Sequence, residues 1–179
     1  QKDFEIDSDT TIKDMYDEVA KFTPSLFEDA LHIISNGGKL VDNTNLVPLR
    51  GYPRIKEDSQ IIWEDTAVKI DKLIKASSKP FHGSYTFFNS EIFRIWESRI
   101  EAPNFEFLAT PGQVVEVRKV SGEVVIATGK DFLVIQKVEY RDSGITEPTN
   151  IIKSIKTRLG MNVELEIIKI REKLGLNNE

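Results

Sequence analysis

Ser84-Tyr85-Thr86-Phe87-Phe88-Asn89-Ser90-Glu91-Ile92-Phe93-Arg94-Ile95-Trp96 decides the fold of this chain. Two runs rich in Phe, Ile, Tyr and Trp flank Asn89-Ser90, a pair suited to reversing the backbone. The pattern repeats downstream. Ser84–Phe88, Glu91–Ile100, Gln113–Lys119, Glu123–Thr128 and Phe132–Tyr140 read as strands, with Pro111-Gly112, Ser121-Gly122 and Gly129-Lys130 as further breaks. Five short strands with tight turns over about sixty residues predict a small antiparallel β-barrel of the OB type, partly open, that closes most of its edges. Alternation puts Phe93 and Ile95 on one face and Arg94 and Trp96 on the other. The bulk of Trp96 requires cover, for which helices at the C-terminal end are the candidates.

Upstream of the strands the period is helical. Thr11 with Asp14 makes a capping-box-like start, and Ile12, Met15, Val19 and Phe22 recur on one face. Pro24 interrupts this stripe and suits the first position of a second helix capped by Thr23, with Phe27, Ala30, Leu31 and Ile34 as its stripe and Gly37-Gly38 as its end. From Lys39 to Gln60 the composition is that of a loop. After Ile61-Ile62-Trp63, Asp65 can cap a short helix that buries Ala67, Ile70, Leu73 and Ile74, turns Lys69, Asp71, Lys72 and Lys75 to water, and ends at Ser77-Ser78-Lys79-Pro80.

Downstream, Ile151, Ile152, Ile155 and Leu159 predict a short helix ending at Gly160. Asn162 can cap another, with Val163, Ile167, Ile170 and Leu174 at four-three-four spacing. That stripe is too short for a free coiled coil and must pack on something, either its own barrel or another subunit. The expected class is α+β: a helical piece over residues 1–38, a linker with a short helix over 39–79, the OB-like barrel over 80–141 and a helical tail over 142–179.

The 179 residues, 40% hydrophobic and 30% charged, suffice for one ordinary domain or two small ones and exclude intrinsic disorder. No apolar run reaches the roughly 18 residues that cross a bilayer. The absence of cysteine removes disulfides, thiolate zinc sites and thiol nucleophiles, and fits a reducing, cytoplasmic setting. Two histidines, His32 and His82, do not make a multi-histidine metal site. The net charge of −5 argues against a chain devoted to neutralising nucleic-acid phosphates. Lys69, Lys72, Lys75 and Lys79, with Lys153, Lys156 and Arg158, are the clusters that could serve such a purpose, and their ordinary role is a solvated helix face. The first residue, Gln1, is not an initiator methionine and follows no signal-peptide pattern, so a fragment of something longer is expected.

Catalytic motifs are absent: there is no phosphate-cradling glycine loop, no Gly-x-Ser-x-Gly, no His-Glu-x-x-His and no calcium loop. The most site-like residues are Arg50, Tyr52 and Arg54 around Gly51-Tyr52-Pro53, because arginine in a rigid loop can hold a phosphate or carboxylate bidentately. An interdomain salt bridge is the alternative use of the same arginines.

Gly51-Tyr52-Pro53-Arg54, Glu57-Asp58, Ile62-Trp63, Ala67, Ile70, Leu73-Ile74, Ala76, Pro80, Gly83 and Tyr85-Thr86-Phe87-Phe88 together resemble the segment joining the two halves of methionyl-tRNA formyltransferase and its relatives. Phe93-Arg94-Ile95-Trp96, Pro111-Gly112 and Gly122-Glu123-Val124-Val125-Ile126-Ala127-Thr128-Gly129 are similar to the OB-like C-terminal domain of those enzymes, and Thr11 to Ile34 to the helical end of their catalytic core. The resemblance covers residues 4 to 140; the tail from Asp142 onward matches nothing assignable.

The resemblance implies a formyl group moving from 10-formyltetrahydrofolate to an acceptor amine. It also implies that the folate site and the Asn, His and Asp catalytic set lie before Gln1, with the histidine handling the proton and hydrogen-bond donors stabilising the oxyanion. Neither His32 nor His82 inherits that role, and the fragment alone is expected to be inactive. Two acceptors remain. Acidic balance and the Gly-Tyr-Pro-Arg spelling favour a nucleotide-linked amino sugar, as in the aminoarabinose branch, over methionyl-tRNA, with Arg50, Tyr52 and Arg54 as substrate-binding candidates. From another class, residues 80–179 could be a non-catalytic binding or dimerisation module, and self-association through the C-terminal helices stays open.

Overall fold

Asn89 and Ser90 both adopt positive φ, 51° and 65°, and so form the tight turn whose twist matches that of its strands. They join β1 (Ser84–Phe88) to β2 (Glu91–Glu101). The structure, a computed structural model, describes residues 1–39, 47, 49–160 and 163–175. β2 pairs antiparallel with β5 (Phe132–Tyr140) from Phe93 opposite Tyr140 to Glu101 opposite Phe132, with register shifts around Glu97. β5 continues to β4 (Glu123–Ala127), and β4 to β3 (Val114–Arg118). The order is β1-β2-β5-β4-β3, with a two-residue strand, β6 (Ile145–Thr146), added to β5.

The class is α+β, and the five expected strands stand within a residue or two of their expected ends. The OB-like barrel is not closed: among the described residues the sheet is open and six-stranded, and no ladder joins β1 to β3. The reason lies in what occupies that gap. Residues 60–61 run beside β1, with the Ile61 amide donating to the Tyr85 carbonyl at 2.8 Å. From the other end of the chain, Leu159 donates to the Gly112 carbonyl (2.8 Å), Val114 to the Thr157 carbonyl (3.0 Å) and Gly160 to the Phe87 carbonyl (2.8 Å). These bonds correct the expected 151–159 helix. After a 3-10 turn at Pro148–Asn150 the segment runs extended, because pairing with the start of β3 satisfies its backbone while Ile152 and Leu159 drop into the core.

The core gathers Phe93, Ile95, Val114, Val124, Ile126, Leu133, Ile135 and Val138 from the strands. Ile61, Trp63, Ile70 and Ile74 join them from the stretch expected to be a linker with a short helix. Residues 60–79 therefore share the core of the sheet. The opposite face of the sheet carries a smaller apolar cluster, Val125, Ala127, Phe132 and Val134.

The first helix, α1 (Ile12–Ser35), begins with the expected capping box between Thr11 and Asp14 but does not break at Pro24. Thr23 does not cap a second helix; its hydroxyl donates back to the Val19 carbonyl at 2.6 Å, and Pro24 sits inside one continuous helix. None of its residues is buried, and Val19, Phe27, Leu31 and Ile34 are exposed. The second helix, α2 (Ala67–Ser77), is capped by Thr66 rather than Asp65, whose carboxylate pairs with Lys69. Asp71 does not face water: it is 3% exposed. A third helix, α3 (Val163–Lys173), presents Val163, Ile167 and Ile170 exposed rather than packed on the sheet, and its proposed cap Asn162 lies outside the described residues.

Phe93 and Ile95 are buried and Arg94 and Trp96 half-buried, as alternation requires. Cover for Trp96 comes from the turn after α2 and not from the C-terminal helices. Its ring lies 3.2 Å from where a Cβ on Gly83 would stand, Lys79 Nζ is 5.7 Å from it, and its indole N–H donates to Glu139.

Candidate functional site

The Gly51-Tyr52-Pro53 loop is fastened at its C-terminal end. Arg54 Nη2 donates to the Asp58 carbonyl (3.0 Å) and to the hydroxyls of Ser59 (3.5 Å) and Ser77 (3.3 Å), the last being the final residue of α2. A 3-10 turn at Lys56–Ser59 supports it, with the Ile55 amide donating to Asp58 Oδ2 at 2.9 Å. Arg50 and Tyr52 stand in solvent, the guanidinium 5.7 Å from the ring centre. Arg54 is thus committed to holding the loop on α2, while Arg50 and Tyr52 are displayed by it.

A cleft of about 820 Å³ opens where the sheet fails to close. Ile61, Trp63 and Leu159 belong to its lining, and Asn89, Ser90, Arg158, Glu166 and Lys169 provide polar groups. The Trp63 indole N–H donates to Thr86 Oγ1 at 2.9 Å, a buried bond that ties this stretch to β1. Ser90 donates to Glu166 Oε1 (2.6 Å), as does Lys169 (2.7 Å), and these bonds, Lys169 first, hold the Glu166 carboxyl below the usual range. Arg158 Nε donates to the Pro111 carbonyl at 3.2 Å. Arg50, Tyr52 and Arg54 do not line this cleft.

Most of the cations singled out in the sequence have partners. Lys69 pairs with Asp65 (2.8 Å), Lys75 with Asp71 (2.7 Å), and Lys153 donates to the Thr149 carbonyl (2.8 Å). On the outer face of the sheet Arg118 bonds both oxygens of Glu101 at 2.8 and 2.6 Å, and Arg99 bonds both oxygens of Glu123. The Arg118 guanidinium pulls the Glu101 carboxyl down to about 2 against the opposing effect of burial, with Arg99 adding to the pull.

The described residues hold no cluster of three or more His, Asp or Glu able to bind a metal, and no buried polar side-chain atom without a partner. His32 lies on α1 with its Nε2 3.2 Å from Asn36 Nδ2, and His82 is exposed in the turn before β1. Sequence reasoning missed the buried Asp71, whose oxygens accept from Ser98 Oγ (2.6 Å) and Lys75 Nζ (2.7 Å). Its signal was available: Asp71 is flanked by Ile70 and Ile74 on the buried stripe and stands four residues before a lysine.

Comparison with known proteins fits this architecture. Residues 54–156 match the family model of the formyl transferase C-terminal domain, which begins at the arginine that anchors the loop and ends within the segment filling the gap in the sheet. Methionyl-tRNA formyltransferase of Ruminiclostridium cellulolyticum is 25% identical over 162 residues, 89% of this chain and 51% of that protein. The bifunctional polymyxin resistance protein ArnA of Wigglesworthia glossinidia brevipalpis is 26% identical over 152 residues, 84% of this chain and 22% of that one. The chain thus spans about half the length of the methionyl-tRNA formyltransferases it matches. Among solved structures, HypX from Aquifex aeolicus in complex with tetrahydrofolic acid shares the fold with a TM-score of 0.58 at 16% identity, over 85% of this chain and 26% of that one. Among the described residues no helix is long and apolar enough to cross a membrane. With more than half its length inside the family model, the chain belongs to the formyl transferase C-terminal domain family.

Proposed function

We propose that this chain is the C-terminal portion of a formyltransferase that moves a formyl group from 10-formyltetrahydrofolate to the amine of a nucleotide-linked amino sugar. Family membership supports formyl transfer, and the tetrahydrofolate-bound neighbour supports a folate donor. The described residues do not fit a folate site of their own, since the polar groups of the cleft largely bond one another and no buried polar side-chain atom is left unpartnered. Donor binding and catalysis are therefore assigned to a part of the parent protein outside residues 1–179, and the chain alone transfers nothing. On this reading Arg50 and Tyr52, displayed by the loop that Arg54 anchors, contact the acceptor, with Arg50 suited to its phosphates.

The observation that carries the choice of acceptor is the pairing of cations. Lys69, Lys75, Arg99 and Arg118 are engaged with carboxylates, so they do not offer the free basic face that a nucleic acid needs. The second reading, methionyl-tRNA, is favoured by the names of most relatives of similar identity. Steady-state assays of the full parent protein with 10-formyltetrahydrofolate and each acceptor decide between them, with the 179-residue chain as the expected inactive control. Weak tRNA binding by the chain near physiological salt is expected. Submicromolar binding that falls by roughly 10³-fold or more between 50 and 200 mM salt, and is lost when Lys72, Lys153 and Lys156 become glutamate, would make methionyl-tRNA the acceptor. Transfer to neither acceptor would leave residues 80–179 as a non-catalytic binding or dimerisation module.

A further inference from the structure

Lys75 uses all its donors in three directions. Its Nζ donates to Asp71 Oδ2 (2.7 Å), to the Ser8 carbonyl (2.8 Å) and to Asp9 Oδ1 (3.2 Å). Asp71 is itself buried and held by Ser98 of β2, so the ammonium is anchored to the sheet through α2. On the other side the segment it grips is preformed: Asp7 Oδ1 accepts from the amides of Asp9 and Thr10 and from the Thr10 hydroxyl, which fixes the turn just before the cap of α1. Tyr16 of α1 adds a ring contact with Phe81, 6.3 Å between centres. Burial disfavours the charged lysine, but its bonds to Asp71 and Asp9 outweigh this and raise its pKa. Two residues further along the same helix, Ser77 receives the guanidinium of Arg54, which holds the Arg50–Tyr52 loop.

We propose that Lys75 is a positioning residue: with Asp71 and Ser98 it makes the C-terminal half of α2 the common anchor of the N-terminal helical piece and the acceptor loop, fixing their relative placement. The kinetic half of this assignment rests on the formyltransferase reading; the structural half does not. Because Lys75→Met alone strands a buried carboxylate and can prevent folding, the informative variant is Asp71→Asn with Lys75→Met, which keeps a bonding partner for Ser98.

Hydrogen exchange of the 179-residue chain reads the grip directly. Loss of the charged bonds is expected to speed exchange at the amides of residues 9–16 by about 10- to 100-fold, with β2 and β5 unchanged. Lys75→Arg is expected to restore protection, and Lys72→Met, an exposed lysine three residues earlier on the same helix, to leave it as in the unsubstituted chain. In the full parent enzyme the double variant is expected to raise KM for the acceptor by about tenfold while KM for the formyl donor stays fixed. Unchanged exchange at residues 9–16 overturns the clamp. Faster exchange without a change in acceptor KM overturns the positioning role and leaves a tether. A wild-type parent that transfers no formyl group refutes the formyltransferase reading, while the exchange experiment still decides whether Lys75 grips the N-terminal piece.

Discussion

Replacing Gly112 with alanine tests the claim that the segment at residues 157–160 is built into the sheet. Gly112 has φ +84°, where a side chain on an L-residue costs about 1–2 kcal/mol. A Cβ there would also overlap the carbonyl oxygen of Leu159 and stand 3.2 Å from Cδ1 of Trp63. Relief requires the 157–160 segment to move, which breaks the Leu159 amide bond to the Gly112 carbonyl and loosens the Gly112 amide bond to Ala127, each worth about 1 kcal/mol net and more when buried groups are left unpaired. The expected cost is about 3–5 kcal/mol. Gly144 supplies an internal control: its φ is +62°, but no atom lies within 4 Å of a Cβ added there. Gly144→Ala should therefore cost only the backbone term, about 1–2 kcal/mol. Urea unfolding of both variants, followed by the fluorescence of Trp63 and Trp96, compares midpoints at unchanged slope. If the two variants unfold within about 0.5 kcal/mol of each other, the 157–160 segment is not packed on Gly112 and the account of the open sheet is wrong.

Glu101 titrates in the folded protein at about 2, below its ordinary value of 4.5, so its stabilising pair with Arg118 is complete above about pH 4.5 and is lost as pH falls toward 2. With the side chain 32% exposed, screening leaves roughly 1–2 kcal/mol, and Glu101→Gln should lower stability by that amount at pH 7 and flatten the acid limb of the stability curve; an unaltered limb would contradict the pairing. Trp63→Phe removes the donor from a buried bond to Thr86 and should cost about 1–3 kcal/mol. Adding Thr86→Val should recover part of that loss, because both polar partners are then gone, and a double variant no more stable than the single one would assign the loss to packing.

The strands were legible because their composition changes at Gly83 and each is bounded by turn residues, and the Thr11–Asp14 cap was legible because it is local. What was not legible depended on distant partners. Isoleucines at 151, 152 and 155 satisfy a helical period, yet Val114 and Gly112 offer backbone bonds that an isolated reading cannot see. Pro24 breaks a helix by rule, and α1 carries it. Asp71 reads as a surface residue until Ser98 is brought against it by the fold. Of the site residues, Arg54 bonds a backbone carbonyl and two hydroxyls, one of them Ser77 of α2, rather than the carboxylate that an interdomain salt bridge would need, while Arg50 and Tyr52 are exposed on the loop.

The gap between β1 and β3 also sets an order of events during synthesis. Phe87 finds the amide of Gly160, and Gly112 that of Leu159, only once residues 157–160 have followed all the strands of the sheet out of the ribosome. Until then a nascent chain carries paired β2 and β5 with a bare flank along Gly112 and Val114, the sort of unpaired edge that recruits a neighbouring strand. Seating of the 157–160 segment is thus the step that ends this period of exposure, and the stretch that departs from its helical pattern acts as the last stitch of the sheet.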